Sequence, residues 1–255
     1  MKTLLINEEL DLLQSLVALD QHPRIIELGC GAADLSRKLL VRCPSCEITA
    51  LEVDERQHAK NLLNPMLRLQ FVQAGAQATP FSTGDFDLAL MLKSLHHVPL
   101  DHLGQALSEV HRVLRPNGLL YVSEPVFAGA LNEVMRLFHD EEHVRAAALR
   151  AIQEAVSSGA WEQVSESLFD IPVHYRDFAE FEQRMIGVTF VNHRLDATTL
   201  QRVRERFAPH MTADGANFLR PMRVNLLRKR QTPLTVPTQV MKRVDNSSIF
   251  VNNQS

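Results

Sequence analysis

Short apolar runs alternate with amphipathic stretches along the first half of the chain. "RIIELG", "EITALEV", "LRLQFVQA", "FDLALML" and "GLLYVSEP" are brief and mostly uninterrupted by charge, the pattern of strands buried on both faces. Between them the apolar positions follow a helical period. Asn7 reads as an N-cap, ahead of Glu8, Glu9 and a stripe through Leu10, Leu13, Leu16 and Val17. "ADLSRKLLVR" and "DERQHAKNLL" read as helices, the second stopped by Asn-Pro. "LDHLGQALSEVHRVLRP" carries Leu103, Leu107, Val110 and Leu114 on one face and ends at Pro116 and Gly118. Strands alternating with helices predict an α/β fold, with a mostly parallel sheet covered on both sides.

After Pro125 the rhythm changes. Residues 129 to 166 are helical in pattern, so a helical cap over about 126–166 is expected to be inserted after the fifth strand. A strand near "LFDIPVHY", helices at about 177–187 and 196–208, and a last strand at "ANFLRPMRVNLLRK" complete a single domain over 1–229. Residues 230–255 are rich in Pro, Asn, Ser and Thr and read as a disordered tail.

Composition narrows the classes. In 255 residues, 27 basic and 30 acidic side chains leave a net charge of −3 with no basic run, which argues against nucleic acid as a partner. No apolar run reaches bilayer length, and Glu8, Glu9 and Asp11 interrupt any signal-peptide core, so no membrane association and a cytoplasmic location are expected. Three cysteines argue against a disulfide scaffold. Cys43 and Cys46 form a C-x-x-C with no second ligand pair, and read as two incidental thiols rather than a redox or zinc site.

The chemistry concentrates at "RIIELGCGAADLSRKLL". Gly29 and Gly31 follow the first strand, where ligands of open parallel sheets sit and backbone must come close. A dinucleotide fingerprint requires a third glycine at position 34. Asp34 stands there, and an acid at a helix start repels pyrophosphate. S-adenosylmethionine, with a sulfonium, an ammonium, a carboxylate and no phosphate, fits better. Glu27 could face the ammonium and the turn amides the carboxylate. A second acid is needed for the ribose diol, and Glu52 closes the second strand 23 positions after Gly29.

On these residues the chain resembles the class I S-adenosylmethionine-dependent methyltransferases, in particular the small-molecule type 11 group that includes ubiquinone-biosynthesis-like enzymes. Four segments carry the likeness in order: "IIELGCGAADLSRKL", "ITALEVD", "FVQAGAQATPFSTGDFDLALMLKSLHHV" and "ALSEVHRVLRPNGLLYVSEP". The resemblance implies a Rossmann-like seven-stranded sheet, mostly parallel with the last strand antiparallel and helices on both faces. It implies S-adenosyl-L-methionine as cofactor, held by Glu27, Gly29, Cys30, Gly31, Glu52, Val53, Gly75, Ala76 and Met91. It also implies methyl transfer to a small-molecule acceptor. Two positions depart from the family pattern. Ala33 replaces a common third glycine, and Gly75 stands where an acid usually holds the adenine amino group.

Methyl transfer by in-line displacement needs positioning, and a base only when the acceptor keeps its proton. In "KSLHHVP", His96 or His97 could be that base, and Lys93 could bind an anionic substrate. Glu124 closes the fifth strand toward the expected acceptor pocket. His139 and His143 have the i, i+4 spacing of metal ligands, but no third ligand is evident and no metal is expected. Met135, Leu137, Phe138 and Trp161 are expected to line or pack the cap, and Arg220 and Arg223 to lie at a surface or edge. A tRNA or protein methyltransferase and a non-catalytic cofactor-binding scaffold are the alternatives. The D/N-P-P-Y/F motif of base-amine methylation is absent, its place reading "MLKS". The acceptor and the oligomeric state are not encoded in any motif.

Overall fold

Each apolar run forms a strand of one mixed sheet in the computed structural model, which describes residues 4–21, 23–187 and 195–230. The tail assigned to 230–255 lies, beyond Arg230, outside the described residues. β1 (Leu4–Leu5) precedes helix α1 (Glu9–Leu16), after which β2 (Arg24–Leu28), α2 (Asp34–Arg42), β3 (Glu47–Leu51), α3 (Glu55–Leu62) and β4 (Leu69–Val72) follow in alternation. β5 (Phe86–Leu92), α4 (Leu103–Val113) and β6 (Leu114–Pro125) complete the wound half. Helices α5 (Ala130–Met135) and α6 (Glu142–Ser157) come next, then β7 (Trp161–Tyr175), α7 (Phe178–Phe181), α8 (Ala197–Phe207), β8 (Met211–Thr212) and β9 (Gly215–Lys229).

The strand order is β1-β7-β9-β6-β5-β2-β3-β4, with β8 hairpinned onto β9. β9 runs antiparallel to both β6 and β7, while β2, β3, β4, β5 and β6 pair in parallel. The α/β architecture and the antiparallel last strand stand as expected; the strand count is nine, not seven. The two additions are two-residue strands, β1 on the edge of β7 and β8 at the Gly215 turn, too short to leave a sequence pattern.

Side-chain alternation divides the core. Ile25, Leu88, Leu90 and Tyr121 face Leu10, Leu13 and Leu39 of α1 and α2. Ile26, Ala89, Met91, Leu120 and Val122 face Leu107 and Val110 of α4 and Ile152 of α6. One-residue steps thus switch faces, the period of two that a sheet covered on both sides requires. Each fully buried Leu or Ile contributes about 1.5–3 kcal/mol of transfer free energy. A third cluster, Leu131, Val134, Tyr175, Phe181, Val203, Phe207 and Phe218, fastens α5, α7 and α8 to one end of the β7–β9 hairpin.

Several local expectations change. The helical stretch after β6 ends at Ser157 and β7 begins at Trp161, so residues 161–166 are strand and not cap helix. Trp161 does pack against the cap, in the cluster under α4 and α6, edge-to-face with His111 at 5.2 Å. Met135, Leu137 and Phe138 do pack in the third cluster. Arg223 lies where β9 is flanked by both β6 and β7 and is not at an edge, whereas Arg220 lies beyond Met222, the last residue paired with β6, and is paired with β7 alone. Asn7 does not cap α1. The capping position is Glu8, whose carboxylate instead pairs with Lys38 and Arg42 of α2.

Candidate active site

The strand order reverses direction between β2 and β5, so the loops after these strands diverge and leave a crevice at their carboxyl ends. The glycine turn fills that position. The N–H groups of Gly29 and Cys30 both donate to the Leu51 carbonyl, at 3.0 and 2.8 Å, folding the turn over the end of β3. Gly29 has φ +75°, and a Cβ there would lie 2.7 Å from the Cβ of Ser94. The Ser94 hydroxyl donates to the Leu28 carbonyl at 2.7 Å, tying the loop after β5 to the glycine turn. Gly31, at φ +54°, has nothing within 4 Å of the place a Cβ would take. One glycine is therefore required by packing, and the other opens onto free space. Ala33, buried at the N-cap of α2, holds a left-handed φ of +58° that a third glycine would adopt without strain.

Two buried carboxylates flank the turn. Glu27 accepts a hydrogen bond from the Ser36 hydroxyl. Burial pushes its carboxyl up to about 7, against the opposing pull of Ser36 and of Lys93. Glu52 accepts from the Gly31 N–H at 2.8 Å through Oε2 and from the Asp54 N–H at 2.9 Å through Oε1. Each oxygen keeps a lone pair for a further donor, since an ionised carboxylate offers about four acceptor sites. Asp54 in turn caps α3, accepting from Arg56 and Gln57 N–H groups. Asn61 of α3 donates to the Gly31 carbonyl at 2.8 Å. Nothing in the sequence singled out Asn61, which reads as an ordinary helix residue.

The other expected cofactor positions fall out unevenly. Val53 is exposed beside Glu52, as an apolar surface for a flat ring would be. The Cys30 thiol is buried, which raises its pKa strongly and makes it a packing group. Met91 points into the core and is fully buried, so only its backbone borders the crevice. Gly75 and Ala78 bridge in a tight turn. The Gln77 carboxamide folds back to within 2.5–2.9 Å of where a Gly75 Cβ would sit. That carboxamide is the far end of a flexible, half-buried side chain that can swing aside, so packing does not explain the absence of an acid at Gly75. Ala76 is buried below this turn.

Past β5 the chain makes a tight turn. Lys93 is exposed with φ +54°, and its N–H donates to the Ser123 carbonyl at 2.7 Å. Glu124 turns toward the Leu95–His97 turn: Oε1 accepts from the Leu95 N–H at 2.9 Å and Oε2 meets His96 Nδ1. The other ring nitrogen of His96 lies 3.5 Å from Glu141 Oε1. Although burial opposes it, this pair of carboxylates raises the imidazole to about 9. Glu141 is itself held far below the usual carboxylate range by His139, His96 and Arg145, which outweigh its burial. Arg145 completes the chain, with Nη2 2.6 Å from Glu141 Oε2 and Nη1 donating to Asn132 Oδ1 at 3.1 Å. His96 thus has no free lone pair, and Glu124 is committed to the turn. The expectation of a base at His96 and of an acceptor contact at Glu124 meets this arrangement instead.

His139 and His143 do not share a helix face. His139 precedes α6, and its Nε2 meets Glu141 at 2.8 Å, while His143 is exposed. Among the described residues the group with metal-like spacing is His96, His97 and Glu141, with ligand atoms within 4.8 Å. Both nitrogens of His96 in that group already face carboxylates. Cys46 is buried against the Leu19 carbonyl, and Cys43 lies beside Ser45. Glu9 of α1 also reaches the crevice, near Lys93, Ser123 and Glu124, with Oε1 buried and unpartnered. Read alone, it was only a helix first-turn acid.

An open sheet with an acid-flanked glycine turn at its reversal point is the architecture of a nucleoside-binding α/β domain. Residues 25–118 match the family described as a methyltransferase domain. The malonyl-[acyl-carrier protein] O-methyltransferase of Enterobacter lignolyticus is 26% identical over 197 residues, 76% of this chain and 76% of that protein. The ubiquinone/menaquinone biosynthesis C-methyltransferase UbiE of Cereibacter sphaeroides is 30% identical over 123 residues. That match spans about half of each chain, 46% of this one and 47% of that one. A putative methyltransferase from Bacillus halodurans superposes with a TM-score of 0.62 at 17% identity, over 88% of this chain and 99% of that one. Among the described residues no helix is long and apolar enough to cross a membrane.

Proposed function

We propose that the chain transfers the methyl group of S-adenosylmethionine to a small-molecule acceptor. The observation that carries this reading is the Glu52 carboxylate, anchored on the Gly31 N–H at 2.8 Å beside the open space over Gly31. The residues present fit the group. Gly31 leaves the room a Cβ would fill, Glu52 retains acceptor capacity for a diol, and Glu27 offers a carboxylate toward an ammonium. When bound, the cofactor supplies a methyl on a sulfonium, open to in-line displacement.

The chain's own part is positioning. Glu52, oriented by two backbone N–H groups, grips the sugar without reorganising. Glu27 ionises as a cation arrives, since an opposite charge at short range favours the charged carboxylate. His96, clamped between Glu124 and Glu141, fixes the turn after β5 against the cap helices and is a positioning residue in this reading. No general base is assigned to it, because an imidazole that keeps its proton to about 9 cannot accept one at neutral pH.

Relatives named as a malonyl-[acyl-carrier protein] O-methyltransferase and as a C-methyltransferase of ubiquinone/menaquinone biosynthesis support this reading. The test is calorimetric titration with S-adenosylhomocysteine. We expect saturable binding to the wild-type chain and a loss of about 1–3 kcal/mol in Glu52→Ala, the scale of a removed buried polar contact. An unchanged dissociation constant in that variant removes the ribose assignment, and no binding in the wild type removes the cofactor.

A further inference from the structure

A second hollow opens where β6 gives way to the cap, one residue beyond Glu124. Its volume is about 20 Å³, room for one small polar group, and its lining includes Pro125, Leu131, Asn132, Met135, Arg145 and Arg220. The wall is apolar on one side and carries three nitrogen-rich side chains on the other. Arg145 is already committed, with Nη2 on Glu141 and Nη1 on Asn132 Oδ1. That second bond fixes the carboxamide: a flipped Asn132 would set its NH2 against the guanidinium. Asn132 Nδ2 is then left facing away from Arg145, buried and without a partner, in a residue only 8% exposed.

Arg220 is the other unspent group. It is half-buried, and among the described residues it has neither an ion-pair nor a hydrogen-bond partner. Burial lowers its proton affinity, and Arg145 and Arg184 add like charge, against the partial compensation of Tyr175 and Glu141. The long β7–β9 ladder holds it in place, with Arg220 opposite Ile171. An orphan amide donor and a guanidinium with no direct partner therefore share one small cavity.

We propose that this hollow takes a carboxylate group of the methyl acceptor, with Arg220 as its counter-ion and Asn132 Nδ2 as its second donor. The proposal rests on the methyl-transfer reading for the word acceptor, and on the cavity alone for the carboxylate. The charge count selects the anion. Arg145 is neutralised by Glu141, so one positive charge remains, which matches a monoanionic carboxylate better than a doubly charged phosphate. The hollow has room for the head alone, and Pro125, Leu131 and Met135 in its lining offer apolar surface to the carbon chain as it runs out of the mouth. Through Arg145 and Glu141 the same cavity is linked to His96, so an occupant would be registered against the turn after β5.

Hexanoate, hexanol and hexyl phosphate serve as probes on the full chain, followed through the Nε–H resonances of its arginines. Hexanoate should shift one resonance, identified as Arg220 by its absence in Arg220→Lys, and hexanol should leave it in place. Arg220→Gln should weaken hexanoate at least about tenfold while keeping the wild-type affinity for S-adenosylhomocysteine. Equal response to hexanoate and hexanol, or wild-type hexanoate affinity in Arg220→Gln, overturns the proposal; tighter binding of hexyl phosphate overturns the carboxylate. Should Arg220→Gln fail to fold, the wild-type resonance decides alone. A wild-type chain that ignores S-adenosylhomocysteine defeats the methyl-transfer reading, and its hexanoate response still judges the hollow.

Discussion

Replacing His96 with glutamine should flatten the alkaline side of the stability profile. In the folded chain the imidazole is held to about 9 from an ordinary value of 6.5, a difference of 2.5. Each unit corresponds to about 1.4 kcal/mol, so the clamp contributes about 3 kcal/mol at full strength. The group is almost fully buried, and solvent screening does not reduce that figure much. The sign follows from proton counting. Between 6.5 and 9 the folded state holds a proton that the unfolded state has released, so stability falls as pH rises through this window. It is fully present below 6.5 and spent above 9. Urea denaturation at intervals from pH 6 to 10 should therefore show the wild type losing about 3 kcal/mol more than His96→Gln. The proton resonances of the ring supply an independent titration. An imidazole midpoint at or below its ordinary value, or parallel stability profiles for the two proteins, would refute the doubly clamped imidazolium.

Glu27→Gln should stabilise the chain increasingly as pH rises from 4.5 through 7, by about 3 kcal/mol at the upper end, because the folded carboxyl is held 2.5 above its ordinary 4.5. Denaturation at pH 5 and pH 8 checks this, and a constant difference between the two proteins counts against it. The two turn glycines should separate by phenotype. Gly29→Ala meets Ser94 at 2.7 Å and a left-handed φ, and should cost about 2–4 kcal/mol in denaturation. Gly31→Ala meets open space and should cost about 1–2 kcal/mol from its φ alone. In calorimetry the latter should still lose most of its affinity for S-adenosylhomocysteine. Equal stability of the two variants would contradict the division between packing and access.

The wound half of the fold was legible because its strands are buried on both faces. Ile25 and Ile26, or Leu120 and Tyr121, point to opposite clusters, and a run without polar gaps is the only sequence that satisfies both. β7 was legible only in its second half for the opposite reason. "WEQVSES" alternates burial with exposure and carries Glu162 and Glu166 outward, a pattern that short windows share with a charged helix face. Its true state is set by β9, which pairs with it from Trp161 to Tyr175, a tertiary fact invisible in either strand alone. β1 and β8 are two residues each and depend wholly on the strands they join.

The site divides along the same physical line. Glu27, Gly29, Gly31 and Glu52 could be named in advance because each sits at a strand end or in a turn whose backbone constrains the residue type. The acceptor side could not, because its groups arrive from separate elements. Glu124 closes β6, His96 lies in the turn after β5, Glu141 and Arg145 flank the start of α6, Asn132 is on α5 and Arg220 on β9. Taken singly, a histidine pair, a helix-start acid and a strand arginine each have an ordinary explanation. Together they form an unbroken series of contacts from the Leu95 N–H to Asn132. The ordering of that series has a consequence. Its charges alternate, carboxylate, imidazolium, carboxylate, guanidinium, so that each internal charge is compensated on both sides. The sum closes on the series itself and leaves Arg220, outside it, as the one cation in the hollow with no ion-pair partner among the described residues. A methyl acceptor that brings its own negative charge would complete what the chain leaves open.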